Sequence, residues 1–305
     1  MDFVNKRYIC FALSLLVIIG GIVFGVIKGY KFDIDFKGGT KIETELKAEF
    51  KNTDIEDIVA EITGSKPLVQ QVSNGDNKVI ITSDVMSEEQ SAKVINALRE
   101  KFPDMSEPST RNVQPSYGKE LLESALLAVC VALVLILLYI TIRFKTLGFT
   151  AAVTAIIALL HDALFIIAIY GIFGLTINTS FVAVILTIIG YSINDTIIIY
   201  DRIRENKRKV SKSNDDKDTI NKSISQTIKR TIYTSLTTVT VILVVYVMAL
   251  IDHQQVLKEF SLPLVIGVLV GTYSSVFIAP SLWYVFDNVA AKLGSGKTNK
   301  KAKKK

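Results

Sequence analysis

Six stretches of this 305-residue chain are long and apolar enough to cross a bilayer, at about 8–27, 120–142, 147–170, 180–200, 231–251 and 260–286. A spanning segment needs roughly 20 mostly apolar residues. It must also be helical, because hydrocarbon offers no water to satisfy backbone N–H and C=O groups. The chain is therefore expected to be a polytopic α-helical membrane protein with six transmembrane helices. Half of its residues are hydrophobic (50%) and only 21% are charged, which excludes a disordered chain and an ordinary soluble globule. The first stretch follows Lys6 and Arg7, as a signal peptide would. It is too long for a typical signal core and no small-x-small cleavage site follows, so it reads as an uncleaved anchor.

Basic residues orient the spans, because cytoplasmic loops collect Lys and Arg. Lys6, Arg7, Arg143 and Lys145 flank the first three spans on one side. Segment 201–230 adds Arg202, Arg204, Lys207, Arg208, Lys209, Lys212, Lys217, Lys222, Lys229 and Arg230, and the tail after Lys292 is rich in lysine. The loop 171–179 has no basic residue, and 252–259 has only Lys258. Both termini are thus expected in the cytoplasm of a cell whose plasma membrane holds the chain. Residues 1–27 form the cytoplasmic N-terminus and first helix, 28–119 an outside domain, 120–286 a five-helix bundle, and 287–305 a basic cytoplasmic tail. Within 201–230, Ile220, Ile224 and Ile228 recur at i+4, which predicts an amphipathic helix lying on the inner interface.

The outside segment alternates between the strand and helix periods. Thr40 to Leu46 reads as a strand. Thr53-x-x-Glu56 is a capping box for a helix with Ile55, Ile58, Val59 and Ile62 on one face, ending at Gly64. Leu68–Ser73 and Lys78–Ser83 flank Asn74-Gly75 as a hairpin. Ser87-x-x-Gln90 caps a second helix that buries Ile95, Leu98 and Phe102, and a last strand falls near Thr110 to Gln114. The order βαββαβ is that of a small ferredoxin-like α+β domain. It carries no cysteine, histidine or nucleophile-with-base pattern, so a binding or coupling role is expected and not an enzyme. Cys10 and Cys130 sit in apolar runs and read as packing residues; His161 and His253 lie far apart. No disulfide scaffold, metal site or cofactor is expected.

Three ionisable groups lie where packing alone does not account for them. Asp195 interrupts the fourth span, and a carboxylate at mid-helix costs ~2.5–3.5 kcal/mol on insertion scales. It precedes Asp201 by six residues, about 9 Å along a helix. Thr187, Tyr191, Asn194 and Asp195 share one face, with Gly190 beside it. Arg230 opens the fifth span, and Thr234, Thr237 and Thr238 climb from it as a hydroxyl stripe. Its long stem could carry the charge inward to Asp195, in an ion pair that protonation would break. Asp162, next to His161, is the third group; it fits an interhelical structural pair as well as an ion path. Gly267-x-x-x-Gly271 is the small-residue pattern of close helix packing. Gly296-Lys297-Thr298 imitates the end of a phosphate loop, but Ala291 stands where the pattern needs glycine. The terminal lysines suit anionic lipid rather than nucleic acid.

FDIDFKGGT (32–40), His161-Asp162, GYSINDTIIIYDRIREN (190–206) and RTIYTSLTT (230–238), with six spans and one large loop after the first, resemble the SecF family. The match is nearly position for position over 190–206. Asp33 departs from a usual glycine, and Leu236 replaces another. The resemblance implies a partner, SecD, with which the chain would form a pseudo-symmetric pair of the resistance–nodulation–division superfamily. It implies that the pair assists the SecYEG channel and the SecA motor, with a membrane insertase as a further partner. The pair would draw the exported polypeptide outward on the proton gradient, or on sodium in some relatives. It also places Asp195 and Arg230 in the ion pathway, to which Asn194 and Asp162 are added as candidates. The alternative is a half-size exporter of the same superfamily moving a lipid or small molecule. A scaffold that holds SecD without conducting ions is a second rival.

Overall fold

The computed structural model describes residues 2–72, 77–209, 216–252 and 254–302, and for 72, 255 and 291–302 the backbone alone. The Asn74-Gly75 turn, Lys212 and His253 lie outside the described residues. The chain begins with α1 (Arg7–Lys28), then β1 (Lys31–Phe32), the single turn α2 (Ile34–Lys37), β2 (Gly39–Glu45), α3 (Asn52–Thr63), β3 (Leu68–Val72), β4 (Lys78–Ser83), α4 (Glu88–Lys101) and β5 (Ser109–Val113). It returns to long helices with α5 (Pro115–Arg143), α6 (Phe149–Phe173), the short β6 (Thr176–Ile177), α7 (Thr179–Lys209), α8 (Asp216–Ile251) and α9 (Gln255–Tyr273). A π-helical turn, Ser274–Ile278, joins α9 to α10 (Ala279–Ala302). Among the described residues, six helical rods are long and apolar enough to span a bilayer, the last being Val256–Ala290.

Small residues set how closely the rods approach. A Cβ on Gly21 would lie 2.6 Å from Ala168 Cβ, and one on Gly25 would lie 2.8 Å from Gly171 Cα. The backbones of α1 and α6 therefore meet at a Gly-x-x-x-Gly crossing, where dispersion between close-packed helices replaces a hydrophobic driving force that lipid cannot supply. Helix α5 is different: its apolar stretch is almost wholly outward-facing, and Cys130 is exposed there rather than packed inside as its apolar run suggested. Cys10 is half-buried.

The segment 201–230 does not form a separate interfacial helix. Its first part continues α7 to Lys209, and its second is the start of the 36-residue α8. Nothing in 216–251 breaks a helix, since neither Gly nor Pro occurs there. Ile220 and Ile224 are fully buried and Ile228 packs on the same core, so this apolar face covers protein and not lipid. The charges here pair within α7 and across helices. Asp201 meets Arg143 (3.3 Å) and Arg204 (2.5 Å), and Lys207 meets Asp216 (3.2 Å) and Asp287 (3.5 Å) over the Trp283 ring. Asn221 Oδ1 accepts from the backbone N–H of Phe3 and Val4, holding the N-terminus on α8. Helix α10 passes through Gly296–Thr298, so this segment has helical backbone and not the loop of a phosphate site.

The polar segment has one antiparallel sheet in the order β3-β4-β2-β5, with Ile42 opposite Ile81 on one side and Thr110 on the other. Helices α3 and α4 cover it. Alternation turns Thr40, Ile42 and Thr44 inward from β2, where Ile42 joins Ile55 and Val59 of α3, Val94 and Leu98 of α4 and Phe102 just beyond it in a core of its own. Ser87 caps α4 reciprocally with Gln90, at 3.1 and 3.0 Å. Helix α3 starts earlier than the Thr53 box implied: Lys51 precedes it, and the Asp54 carboxylate accepts from the Lys51 N–H (3.4 Å). It ends at Gly64 in the left-handed conformation (φ 74°), as its spacing predicts. Asp33 has ordinary extended backbone (φ −72°, ψ 165°), so no glycine is needed there. Its carboxylate accepts from the Ile34 N–H at the start of α2 and lies 3.5 Å from Lys41.

Candidate ion site in the helix bundle

Helix α7 carries the 190–206 motif, and its rotation decides what each residue can do. Ile188, Ile189, Ser192, Asp195, Thr196, Ile199 and Tyr200 are buried against α6, α8 and the last rod. Ala183, Thr187, Gly190 and Asn194, at helical spacing of four, three and four, are exposed. Asn194 thus points away from Asp195, on the outward face. A Cβ built on Gly190 meets nothing within 4 Å.

Asp162 is fully buried and fully satisfied. Its Oδ1 lies 2.9 Å from His161 Nδ1, and its Oδ2 accepts from Ser192 Oγ (2.6 Å) and Ser274 Oγ (2.8 Å). One carboxyl thereby joins α6, α7 and the π-helical turn. A π-helical turn offsets successive side chains from α-helical register, and such turns concentrate at functional positions. Here it brings two neighbouring serines into use: Ser275 Oγ donates to Ser192 C=O (3.0 Å) and pairs with Thr196 Oγ1 (2.9 Å).

Asp195 is equally buried but has no hydrogen-bond partner on either oxygen. Helices α7 and α8 run antiparallel, and Tyr191 OH donates to Ser235 Oγ (3.2 Å). One turn further along each helix from that bond brings Asp195 level with Thr231, whose buried hydroxyl is also unpartnered. Arg230 is adjacent in sequence to Thr231 and is exposed. It makes no hydrogen bond to either oxygen of Asp195. Arg230 does not open a helix, as its place at the edge of an apolar run suggested. It sits well inside α8, next to Thr231 at the level of Asp195.

The hydroxyl stripe also differs from expectation. Thr234, Thr237 and Thr238 donate to the carbonyls of Arg230, Tyr233 and Thr234, one turn back in their own helix, and they flank the outward face. The hydroxyls turned inward are Thr231 and Ser235, the latter 2.6 Å from Thr272 Oγ1. Thr187, Gly190 and Asn194 on α7, with Arg230, Thr234 and Thr237 on α8, thus leave polar groups on the outside of two bilayer-length helices.

Gly267 and Gly271 lie where α9 crosses α7. A Cβ at 267 would come within 2.0 Å of Ile188 Cδ1, and one at 271 within 3.0 Å of Ser192 Cβ. Ile188 is almost wholly buried and has little room to yield. Gly267→Ala is expected to destabilise the bundle by about 1–3 kcal/mol, the range for overpacking. Thermal unfolding in detergent measures this, with Gly190→Ala as the neutral comparison.

Chain comparisons agree on one family. Residues 93–289 match the family described as "Protein export membrane protein SecD/SecF, C-terminal". A protein translocase subunit SecF from Anaerolinea thermophila is 35% identical over 290 residues, 92% of this chain and 93% of the relative. A SecDF from Bacillus subtilis is 35% identical over 286 residues, again 92% of this chain but 37% of the longer protein. The crystal structure of a Thermus SecDF, described as a translocon-associated membrane protein, superposes with a TM-score of 0.81 at 31% identity, covering 94% of this chain and 39% of that one.

Proposed function

The chain belongs to the SecD/SecF family of protein export membrane proteins, and on that premise we propose that it couples an ion gradient to polypeptide export as the SecF-like half of a pair with SecD. The observation that carries the coupling is Asp195, a buried carboxyl without a donor at the level of Arg230. Charge on it is uncompensated until a proton arrives or Arg230 turns inward. Alternation between those two states would repack α7 against α8, as two-state elements do when a ligand favours one arrangement. The coupling ion is a proton or sodium. The cycle involves no covalent step and no cofactor, so the chain is not an enzyme.

The pairing with SecD rests on the outward polar face of α7 and α8. Polar groups and an open glycine on bilayer-length helices favour a helical neighbour over lipid. In SecDF relatives this chain's length accounts for only 37% and 39% of the whole. A second half is therefore the natural cover for that face. The basic residues put both termini in the cytoplasm and the βαββαβ domain outside, as a ferredoxin-like module facing the emerging polypeptide. SecYEG, SecA and an insertase would be the machinery served, and the lysine tail would meet anionic lipid.

Affinity purification of the tagged chain from native membranes tests this reading. SecD and the Sec channel are expected among the co-purifying chains. Gly190→Trp is expected to reduce SecD recovery at least tenfold while the tagged chain itself accumulates normally. Recovery of the chain without any second six-span protein would oppose the proposal.

A further inference from the structure

The proposed cycle needs a route from α7 to the polar domain, and Asp35 lies on it. Asp35 is only 3% exposed although it belongs to a single helical turn between a membrane helix and a sheet. Its two oxygens serve different bodies. Oδ1 lies 2.9 Å from Arg111 Nη2, on β5 of the sheet, as an ion pair without hydrogen-bond alignment. Oδ2 accepts from Thr179 at the first residue of α7, through Oγ1 at 3.0 Å and the backbone N–H at 3.4 Å. The negative charge suits that position, where the first N–H groups of a helix lack partners within it.

The neighbouring links hold the α6–α7 loop, and of these Asp33 also reaches the sheet, through Lys41 of β2 (3.5 Å). Strand β1 pairs with β6 in parallel, Asp33 N–H donates to Ile177 C=O (3.0 Å), and Asn178 Nδ2 donates to Glu259 at the start of α9 (2.5 Å). Beyond Asp35 the chain enters the sheet through Gly38 and Gly39, both with positive φ (77° and 142°). Arg111 and Asp35 close a bridge across those two glycines. Besides this bridge, the sheet is tied to the bundle through these glycines, the Asp33–Lys41 pair (3.5 Å) and the short link from β5 to α5.

We infer that Asp35 is the positioning residue through which displacement of α7 reaches the polar domain, held to the sheet by Arg111 and to α7 by Thr179. This rests on the coupling reading above, since Asp195 lies on the same helix, sixteen residues or about 24 Å from Thr179. A rigid α7 that moves with the state of Asp195 would carry Asp35, and Asp35 would carry the sheet.

The test uses the full chain co-expressed with SecD, with Cys10 and Cys130 replaced by Ser and spin labels on Glu61→Cys of α3 and Asp252→Cys beyond α8. The variants are Asp35→Asn, which keeps an acceptor for Thr179 but loses the charge, and Arg111→Gln. Arg111 is 62% exposed, so its replacement threatens folding little. Both variants should broaden the label distance distribution and bring the ratio of export with and without a gradient close to one, with the melting temperature unchanged. Arg111→Lys should recover most of both. An unchanged distribution and ratio in Arg111→Gln overturns the inference. If Asp195→Asn leaves the gradient dependence intact, the coupling reading fails, and the label distances still decide whether Asp35 holds the sheet to α7.

Discussion

Asp195→Asn is expected to abolish the gradient-dependent share of export while leaving the chain at least as stable as before. The two halves of that expectation have one cause. Asp195 is fully buried and neither oxygen has a donor. A buried polar group without a partner costs about 1–3 kcal/mol, so no hydrogen bond is lost on replacing it by an amide of the same shape. What is lost is the change of charge. One elementary charge moving through 100 mV yields ~2.3 kcal/mol. That shifts a two-state equilibrium roughly fifty-fold, at ~1.4 kcal/mol for each factor of ten. With Asn at 195 the shift should collapse to about one. Translocation of a secretory precursor into inverted vesicles, with and without an ionophore, measures the first half. Thermal unfolding of the purified complex measures the second. An enzyme-like or purely structural role predicts the opposite pairing, a loss of stability together with a loss of export. Retained gradient dependence in a well-folded Asp195→Asn protein would remove this residue from the mechanism.

How far such a site can be read from sequence differs by residue. Asp195 stood out because a charge in an apolar run is costly wherever the helix turns. The domain's elements stood out because their periods change from two to 3.6 at Gly, Pro and capping residues, and Ser87 with Gln90 forms the bonds its spacing implies. Rotation of α8 was not legible. Hydroxyls lie on both of its faces, Thr231 and Ser235 on one, Thr234, Thr237 and Thr238 on the other, and only packing against α7 decides which set turns inward. The length of α8 is hidden for a related reason: Lys229 and Arg230 mark the start of an apolar run but not the start of a helix. Gly21 and Gly25 have the same four-residue spacing as Gly267 and Gly271 and carry the same small-residue signal. Asp35 lies in the FDIDFKGGT motif, but nothing in that motif tells its partners. Its partners are 76 residues away on β5 and 144 away on α7, so its role exists only once the sheet and bundle are assembled.

Asp162→Ala is expected to act in the opposite direction to Asp195→Asn, lowering stability by about 2–4 kcal/mol. The two carboxyls lie close together: Ser192, which bonds Asp162, is three residues from Asp195, about 4.5 Å along α7. Their surroundings differ completely. Asp162 satisfies three donors from three helical segments, and its removal strands them together. An orphaned buried donor costs about 1–3 kcal/mol. The sum is reduced because Ser274 already has an alternative acceptor in Gly271 C=O at 3.1 Å, and Ser192 has a weaker one at 3.5 Å. The other ring nitrogen of His161, Nε2, is also buried without a partner. Asp162→Asn should lie between the wild type and Ala, because its amide oxygen still accepts from one or two of the three donors. Thermal unfolding of the two variants beside Asp195→Asn gives the comparison. If Asp162→Ala instead left stability unchanged and removed gradient dependence, Asp162 would be an ion-carrying group. The three donors would then be reorganised during the cycle, and the π-helical turn that supplies Ser274 would be a moving part of the site.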